Sequence, residues 1–321
     1  MGAPNDIAND QARPPRAWTR LVDGYIRAPD AMELIVSDHC NIACRQCNHA
    51  SPILPKWNLS PEDAAAQLAL LAKVYRPPRV KLIGGEPILN PKLAEIIQVA
   101  RDSGVSERFT LITNGILLPR LSDRAWDLLD EVEISAYPNV GLTEGVLDRA
   151  RETGARRGVK VVVHRFHSFR YTFSRLANPD ADQVQRVFTA CKIATIWGCH
   201  ALYRGRLYRC PQSIYVRAFA PDVPEQGVAL ADDEGFQARL LAFLNANEAL
   251  AACSHCLGTC GSMLPHGVAT RRAWRDDLAA APGEMVDPAL LERTQRWKPI
   301  LDDCKTDGAR RVRSSQRLAA E

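Results

Sequence analysis

Cys40-Asn-Ile-Ala-Cys44-Arg-Gln-Cys47 puts three thiols on one short stretch, separated by three and then two residues. Three thiolates satisfy three irons of a cubane cluster and leave the fourth iron without a protein ligand. An open iron can bind a small molecule as well as carry electrons. Zinc is the competing reading, although zinc ligands usually come as Cys-x2-Cys with a distant second pair. A disulfide reading fails, because three crowded thiols cannot all pair. A second set, Cys191, Cys199, Cys210, Cys253, Cys256, Cys260 and Cys304, lies in the C-terminal part of the chain.

The rest of the composition sets the context for these thiols. The chain of 321 residues can bury a large core and carry one large domain plus a small one. The formal charge of +4 is too small to argue for a nucleic-acid partner. No apolar run is long enough to span a membrane. The first thirty residues hold charges and prolines but no continuous apolar segment, so a signal peptide is not expected. Ten cysteines without an export signal point to metal rather than disulfides, and to a reducing cytoplasm.

The elements that position the thiols follow a strand–helix rhythm. Met32-Glu-Leu-Ile-Val-Ser37 predicts a strand ending just before the cysteine loop. Ser60-Pro-Glu-Asp63 predicts a helix start, with a cap residue, a proline in the first turn and acids beside it. Arg79–Ile83 predicts a second strand, entering Gly84-Gly-Glu-Pro87, and Phe109–Ile112 a third, entering Thr113-Asn-Gly115. Glu131–Ser135 and Val159–His164 predict two more, with helices near 122–129 and 143–153 between them. This is the βα alternation of a parallel sheet, whose chemistry gathers at the C-terminal strand ends.

Upstream, Trp18–Ile26 predicts a short lead-in helix. Downstream, the segment 202–209 alternates around Gly205 and predicts a β-hairpin ending at Cys210. Residues 229–250 have a mostly helical pattern. The rhythm implies a lead-in over 1–30, an α/β unit over 31–187, a cysteine-bearing unit over 188–305 and a mobile tail over 306–321.

The order of the cysteine motif, Gly84-Gly-Glu-Pro87, Thr113-Asn-Gly115 and Ile134-Ser135 on successive strand ends resembles the radical S-adenosylmethionine enzymes. Cys191, Gly205-x4-Cys210 and Cys253-x2-Cys256 resemble their auxiliary-cluster extension, called SPASM or, in shorter form, Twitch. The resemblance covers about residues 32–262 and implies a partial (β/α)6 barrel with a small cysteine-rich extension. It departs from the family at Gln46, where an aromatic residue often packs near the adenine. It implies a [4Fe–4S] cluster on Cys40, Cys44 and Cys47, whose open iron chelates S-adenosylmethionine. Gly84, Gly85, Glu86 and Pro87 would meet the methionine amine, Ser135 the ribose, and Asn114 would lie nearby. Cleavage of S-adenosylmethionine would give a 5′-deoxyadenosyl radical.

The family's long Cys-x2-Cys-x5-Cys-x3-Cys run is absent, which favours one auxiliary [4Fe–4S] cluster. Cys191, Cys210, Cys253 and Cys256 are the chosen ligands, with Cys199 competing with Cys191 and Cys260 with Cys256. His164 and His167, at a strand end, are candidate bases, and Arg170 is a candidate anion contact. His39 and His49 flank the first cysteine loop and either tune it or are structural. Cys199, Cys260 and Cys304 are candidate hydrogen donors if the reaction is an epimerisation. The chain has no long leader-binding segment before its first strand, which weakens a peptide substrate. Its compact size resembles enzymes that oxidise or epimerise cyclitols and aminosugars. The implied partners are a small-molecule substrate and a flavodoxin- or ferredoxin-like reductant.

Overall fold

The computed structural model describes residues 18–295 and the backbone of Lys305–Thr306. Cys304 and the tail beyond Thr306 lie outside the described residues. Arg20–Val22 (β1) and Tyr25–Arg27 (β2) form an antiparallel hairpin, which corrects the expected lead-in helix. The reason is local: Asp23 and Gly24 take φ of 51° and 78°, and Asp-Gly is the residue pair that two-residue hairpin turns favour.

Five parallel strands follow in spatial order: Met32–Ser37 (β3), Val80–Gly84 (β4), Phe109–Thr113 (β5), Glu131–Ala136 (β6) and Lys160–Phe166 (β7). Helices Pro61–Leu71 (α1), Leu93–Asp102 (α2), Asp123–Asp127 (α3) and Glu144–Arg157 (α4) connect them. The α1 start is the expected one, with the Ser60 side chain accepting from the Asp63 N–H and Pro61 in the first turn.

Beyond β7 come Ser168–Arg170 (β8), Ala181–Ala190 (α5), His200–Tyr203 (β9), Arg206–Tyr208 (β10), Gln212–Tyr215 (α6), Val228–Ala229 (β11) and Phe236–Asn245 (α7). Met263–Pro265 (β12), Arg271–Asp276 (α8), Pro282–Met285 (α9), Pro288–Gln295 (α10) and Lys305–Thr306 (β13) complete the chain. The expected 202–209 hairpin is β9–β10, turning through Arg204 and Gly205 at φ 47° and 75°. The helical pattern of 229–250 forms a helix only over α7. The boundary expected after 187 falls inside α5.

One nine-stranded sheet runs β11-β10-β9-β3-β4-β5-β6-β7-β13. The result is a mixed α/β core, a partial barrel wall with an added extension. The sixth parallel strand of the expected (β/α)6 series does not follow β7. It is β9, paired in parallel with β3 at the opposite edge through Met32↔His200 and Leu34↔Leu202. A two-residue hairpin needs its strands side by side. β9 therefore sits where β10 can add to the sheet, and the extension and the barrel wall share hydrogen bonds. Among the described residues no helix is long and apolar enough to cross a membrane.

The period of two divides the sheet. Met32, Leu34, Val36, Val80, Leu82, Phe109, Leu111, Val132 and Ile134 pack with Leu68, Leu71, Ile96, Ile97, Trp126 and Leu147 of the helices in one core. Each such aliphatic side chain contributes about 1.5–3 kcal/mol by leaving water. The alternate positions are polar in part: Glu33, Ser37, Lys81, Glu133, Ser135 and His164 face the inner side of the wall.

At the top of this wall the β4 loop lies directly on the β3 loop. Gly85 N–H donates to the Ser37 carbonyl (2.7 Å) and Glu86 N–H to the His39 carbonyl (2.9 Å). A Cβ on Gly85 would stand 2.2 Å from the His39 carbonyl oxygen, and one on Gly84 2.1 Å from that of Ser37. Both glycines are thus required by backbone packing under the cysteine loop. Gly85→Ala is expected to lower stability by about 1–3 kcal/mol, the usual cost of overpacking. Denaturant unfolding checks it, and an unchanged midpoint would contradict the close contact.

Candidate active site and a second thiol pocket

The first cysteine loop starts three residues after β3 and is tied to the chain on three sides. Asn114, just past β5, donates from Nδ2 to Asn41 Oδ1 (2.7 Å) and lies 3.7 Å from Cys40 Sγ. The Ile42 N–H points at Cys40 Sγ at 3.4 Å. Arg45 N–H donates to the Gly267 carbonyl, Ala269 N–H to that of Ala43, each at 2.8 Å, and Cys44 bridges to Val268. Arg45 makes a two-armed ion pair with Asp277 (2.6 and 2.8 Å). Its half-exposed guanidinium limits that pair to about 1 kcal/mol. The extension therefore straps the loop from outside while the β5 loop holds it from inside.

The three thiols feel one another. Burial, with the neighbouring Cys47 and Glu86 charges, pushes Cys40 up to about 12. Cys44 is raised by burial and by both other thiols, and Cys47 by burial. Three crowded, buried thiols are poor places for protons to leave unless a cation replaces them, which is what ligation of iron does.

Glu86 is fully buried. Its Oε1 accepts from the Ile88 N–H (3.1 Å) and the Thr113 hydroxyl (2.8 Å), and Oε2 from the Asn114 N–H (2.9 Å). Burial raises its pKa, and those donors oppose the rise. A carboxylate has about four acceptor positions, so this one has little capacity left for a ligand ammonium. Pro87 begins a one-turn 3₁₀ helix capped by Glu86. Ser135 is half-buried on the inner face of β6, and its hydroxyl bonds the Tyr137 side chain.

His164 faces Ser135 across the β6–β7 register, with Nε2 at 3.8 Å from Glu133 Oε2. His167 is exposed, and its backbone carbonyl accepts from His266 N–H. Arg170, also half-buried, reaches the Gly261 carbonyl at 3.5 Å. His39 Nδ1 lies 3.1 Å from the Ser37 hydroxyl. His49 packs edge-on against Tyr215 at 5.4 Å, and burial lowers its pKa to about 4, so its ring is neutral near pH 7. Gln46 accepts from the Thr172 N–H through Oε1 (3.2 Å).

Sequence reading missed an aromatic group beside the loop. Tyr137 stacks on His266 (4.8 Å, 6° between planes), and Phe169 stands against both. His266 Nε2 is 3.3 Å from Cys44 Sγ. Tyr137 was reachable, since it follows Ser135 by two residues, just past the end of β6. His266 carries no local signal.

The second thiol set separates cleanly. Cys191, Cys210, Cys253 and Cys256 line one small, mostly apolar cavity with Val187, Phe188 and Arg209. Burial raises all four thiols, and charge repulsion among them raises Cys210, Cys253 and Cys256 further. Gly258 N–H points at Cys256 Sγ (3.3 Å), and a Cβ there would strike Cys191 Sγ at 2.7 Å. These residues fit an iron–sulfur cluster: four soft ligands, a backbone N–H on sulfur and a glycine that makes room. Among the described residues no three His, Cys, Asp or Glu side chains close around a point as they would around a single ion.

Cys199 lies elsewhere. It sits near the N-terminal strand ends beside Glu33, Lys81 and Asp30, with its thiol pushed up to about 12 by burial. Cys260 is buried in an apolar cluster with Val187, Leu257 and Met285.

The model of the Radical SAM superfamily matches residues 34–199. The chain belongs to this superfamily. It is an enzyme of S-adenosylmethionine radical chemistry, and membership implies an iron–sulfur cluster and S-adenosylmethionine. The chain is 28% identical over 137 residues to the GTP 3′,8-cyclase of Chlorobaculum tepidum, covering 43% of this chain and 39% of that protein. It is 34% identical over 124 residues to a probable GTP 3′,8-cyclase of Sulfurisphaera tokodaii, covering 36% and 37%. The chain thus spans about two-fifths of the length of these curated relatives. The solved structure of BtrN in complex with AdoMet and 2-DOIA aligns over 71% of this chain and 92% of that one, at 15% identity and a TM-score of 0.44.

Glu33 offers a test of the buried charge on the inner wall. Burial raises its pKa from 4.5 to about 7 against the pull of Lys81. A raised carboxyl contributes stability that is full below its unfolded pKa and is lost as pH rises through the folded one. Glu33→Gln removes that loss. It is expected to be more stable than the wild type at pH 8 by on the order of 2–3 kcal/mol, and to show no such gain at pH 4. Thermal unfolding at the two pH values checks it.

Proposed function

We propose that this enzyme oxidises a secondary alcohol of a small cyclitol or aminosugar to a ketone. The carbinol carbon loses a hydrogen atom, the hydroxyl loses a proton, and the remaining electron leaves for an acceptor. The observation that carries the reading is His164, an imidazole on the inner face of β7, opposite Ser135 and with the Glu133 carboxylate 3.8 Å from its Nε2. When bound, S-adenosylmethionine with the first cluster supplies the hydrogen-abstracting radical, and one Twitch-like auxiliary cluster on Cys191, Cys210, Cys253 and Cys256 supplies the electron acceptor.

His164 takes the hydroxyl proton, and Glu133 stabilises the imidazolium that forms. Losing that proton makes the carbon radical a stronger reductant, so the electron leaves more readily. Ser135 and Glu133 give the inner wall hydrogen-bonding groups suited to hydroxyls and amines, which supports a small polar substrate. Glu86, Asn114, Gly84 and Gly85 hold the loop against which S-adenosylmethionine binds. Among the described residues the placement of the two spare thiols favours oxidation over epimerisation: Cys199 is at the far end of the strands, and Cys260 is packed in an apolar cluster. The GTP 3′,8-cyclases share too little of their length for their substrate to carry over. A flavodoxin- or ferredoxin-like protein of a reducing cytoplasm would provide the starting electron.

Anaerobic incubation of the reconstituted enzyme with cyclitols, aminosugars and peptides, in ordinary and deuterated water, tests this. The expected product is lighter than its substrate by two hydrogens, and its formation requires no carbon-bound deuterium. A product of unchanged mass in ordinary water, deuterated at one carbon in heavy water, would mean epimerisation and contradict the proposal. His164→Gln is expected to slow ketone formation by about 10²–10⁴-fold while S-adenosylmethionine cleavage continues.

A further inference from the structure

The cavity ringed by Cys191, Cys210, Cys253 and Cys256 has one charged side chain in its wall, Arg209. Arg209 directly precedes Cys210 and is 2% exposed. Its Nη1 and Nη2 donate to the carbonyls of Ala246 (2.6 Å) and Glu248 (2.7 Å). Its guanidinium lies over Phe188, 4.9 Å from the ring centre, with Phe243 at 5.8 Å. Its Nε is buried with no hydrogen-bond partner among the described residues. The ionisable groups that act on it are Cys253 and Cys210 first and Glu248, an exposed residue, last. A guanidinium does not shed its proton in a protein. A buried cation held by two neutral carbonyls and two rings still lacks an opposite charge, and such a charge is costly to bury.

We infer that Arg209 is the fixed counter-cation of an anionic auxiliary iron–sulfur cluster and raises that cluster's reduction potential. This rests on the reading of the four thiols as cluster ligands. A cubane with four thiolates is negative, and reduction adds one more negative charge. A cation clamped beside the thiols therefore favours the reduced state, and the apolar wall screens its field poorly. The two carbonyls keep the guanidinium from swinging out to water. Without the cluster the same side chain is an unpaired buried charge, so cluster insertion and the stability of this region are coupled. Arg209 is a positioning and tuning residue, since it need not touch substrate.

The test uses the full chain with Cys40, Cys44 and Cys47 replaced by Ala, reconstituted anaerobically with iron and sulfide, so that one cluster remains. Redox titrations followed by electron paramagnetic resonance compare Arg209, Arg209→Met and Arg209→Lys. In the Met variant the midpoint is expected to move negative, with the reduced-to-oxidised ratio at fixed potential falling tenfold or more, about 59 mV for a one-electron couple. The Lys variant is expected to restore most of the shift. Thermal unfolding gives a second readout. Arg209→Met should lower the midpoint of the loaded protein, and raise it when Cys210, Cys253 and Cys256 are also replaced by Ala. That second comparison decides the matter even if the Met variant takes up no iron. An iron-loaded Met variant with an unshifted potential, or a Met variant equally destabilised with and without the cluster ligands, would overturn the inference and leave Arg209 as a carbonyl clamp. No iron in the starting background would instead overturn the four-thiol reading, and the inference with it.

Discussion

The geometry of the first thiol loop depends on one buried carboxylate. Glu86 joins three segments that are far apart in sequence. Its backbone N–H holds the His39 carbonyl under the cysteine loop, and its side chain takes the Thr113 hydroxyl and the Asn114 N–H at the end of β5. Asn114 in turn reaches Asn41 and the Cys40 sulfur. A buried carboxylate is tolerable only because those donors satisfy it. The same donors make it a rigid node, and Gly84 and Gly85 permit the node to form by letting two backbones touch. The glutamate of Gly84-Gly-Glu-Pro87 is therefore first an organiser of loops.

The extension acts on this node from the other side. The segment around His266–Ala269 bonds the backbone of the cysteine loop, and Asp277 pairs with Arg45. The same extension sends β9 to pair with β3, the strand that leads into the loop. The second thiol pocket is thus fixed relative to the first by shared backbone hydrogen bonds. Tyr215 and His49 pack together, each a few residues along the chain from Cys210 and Cys47 respectively. The inner wall carries polar side chains from Glu33 to His164 among its apolar ones, where the helix-facing side is apolar.

Much of this was legible because its signals are local. The cysteine spacing, the Gly-Gly-Glu-Pro stretch, the Ser60 cap and the alternation around Gly205 each depend on a few adjacent residues. Asp23-Gly24 was equally local, and a helical reading of 18–26 overlooked it. Spacing alone did not separate the competing thiols, whereas the fold places them in different surroundings. Cys191 and Cys199 are both near the expected ligand position, yet the chain turns between them, so one thiol meets Cys210 and the other meets Glu33. Cys256 and Cys260 divide in the same way, Cys260 turning into an apolar cluster. The strand order was not legible, since nothing near His200–Tyr203 says that it pairs with Met32–Leu34. Neither was the contact of His266 with Cys44, which joins residues more than two hundred positions apart.

The central claim is that two thiol sets, and no others, each hold iron. An iron-edge anomalous difference map from crystals of the anaerobically reconstituted protein tests it most directly. The account predicts two peaks, one bonded by Cys40, Cys44 and Cys47 and one by Cys191, Cys210, Cys253 and Cys256. A single peak, or a second peak bonded by Cys199 or Cys260, would contradict it.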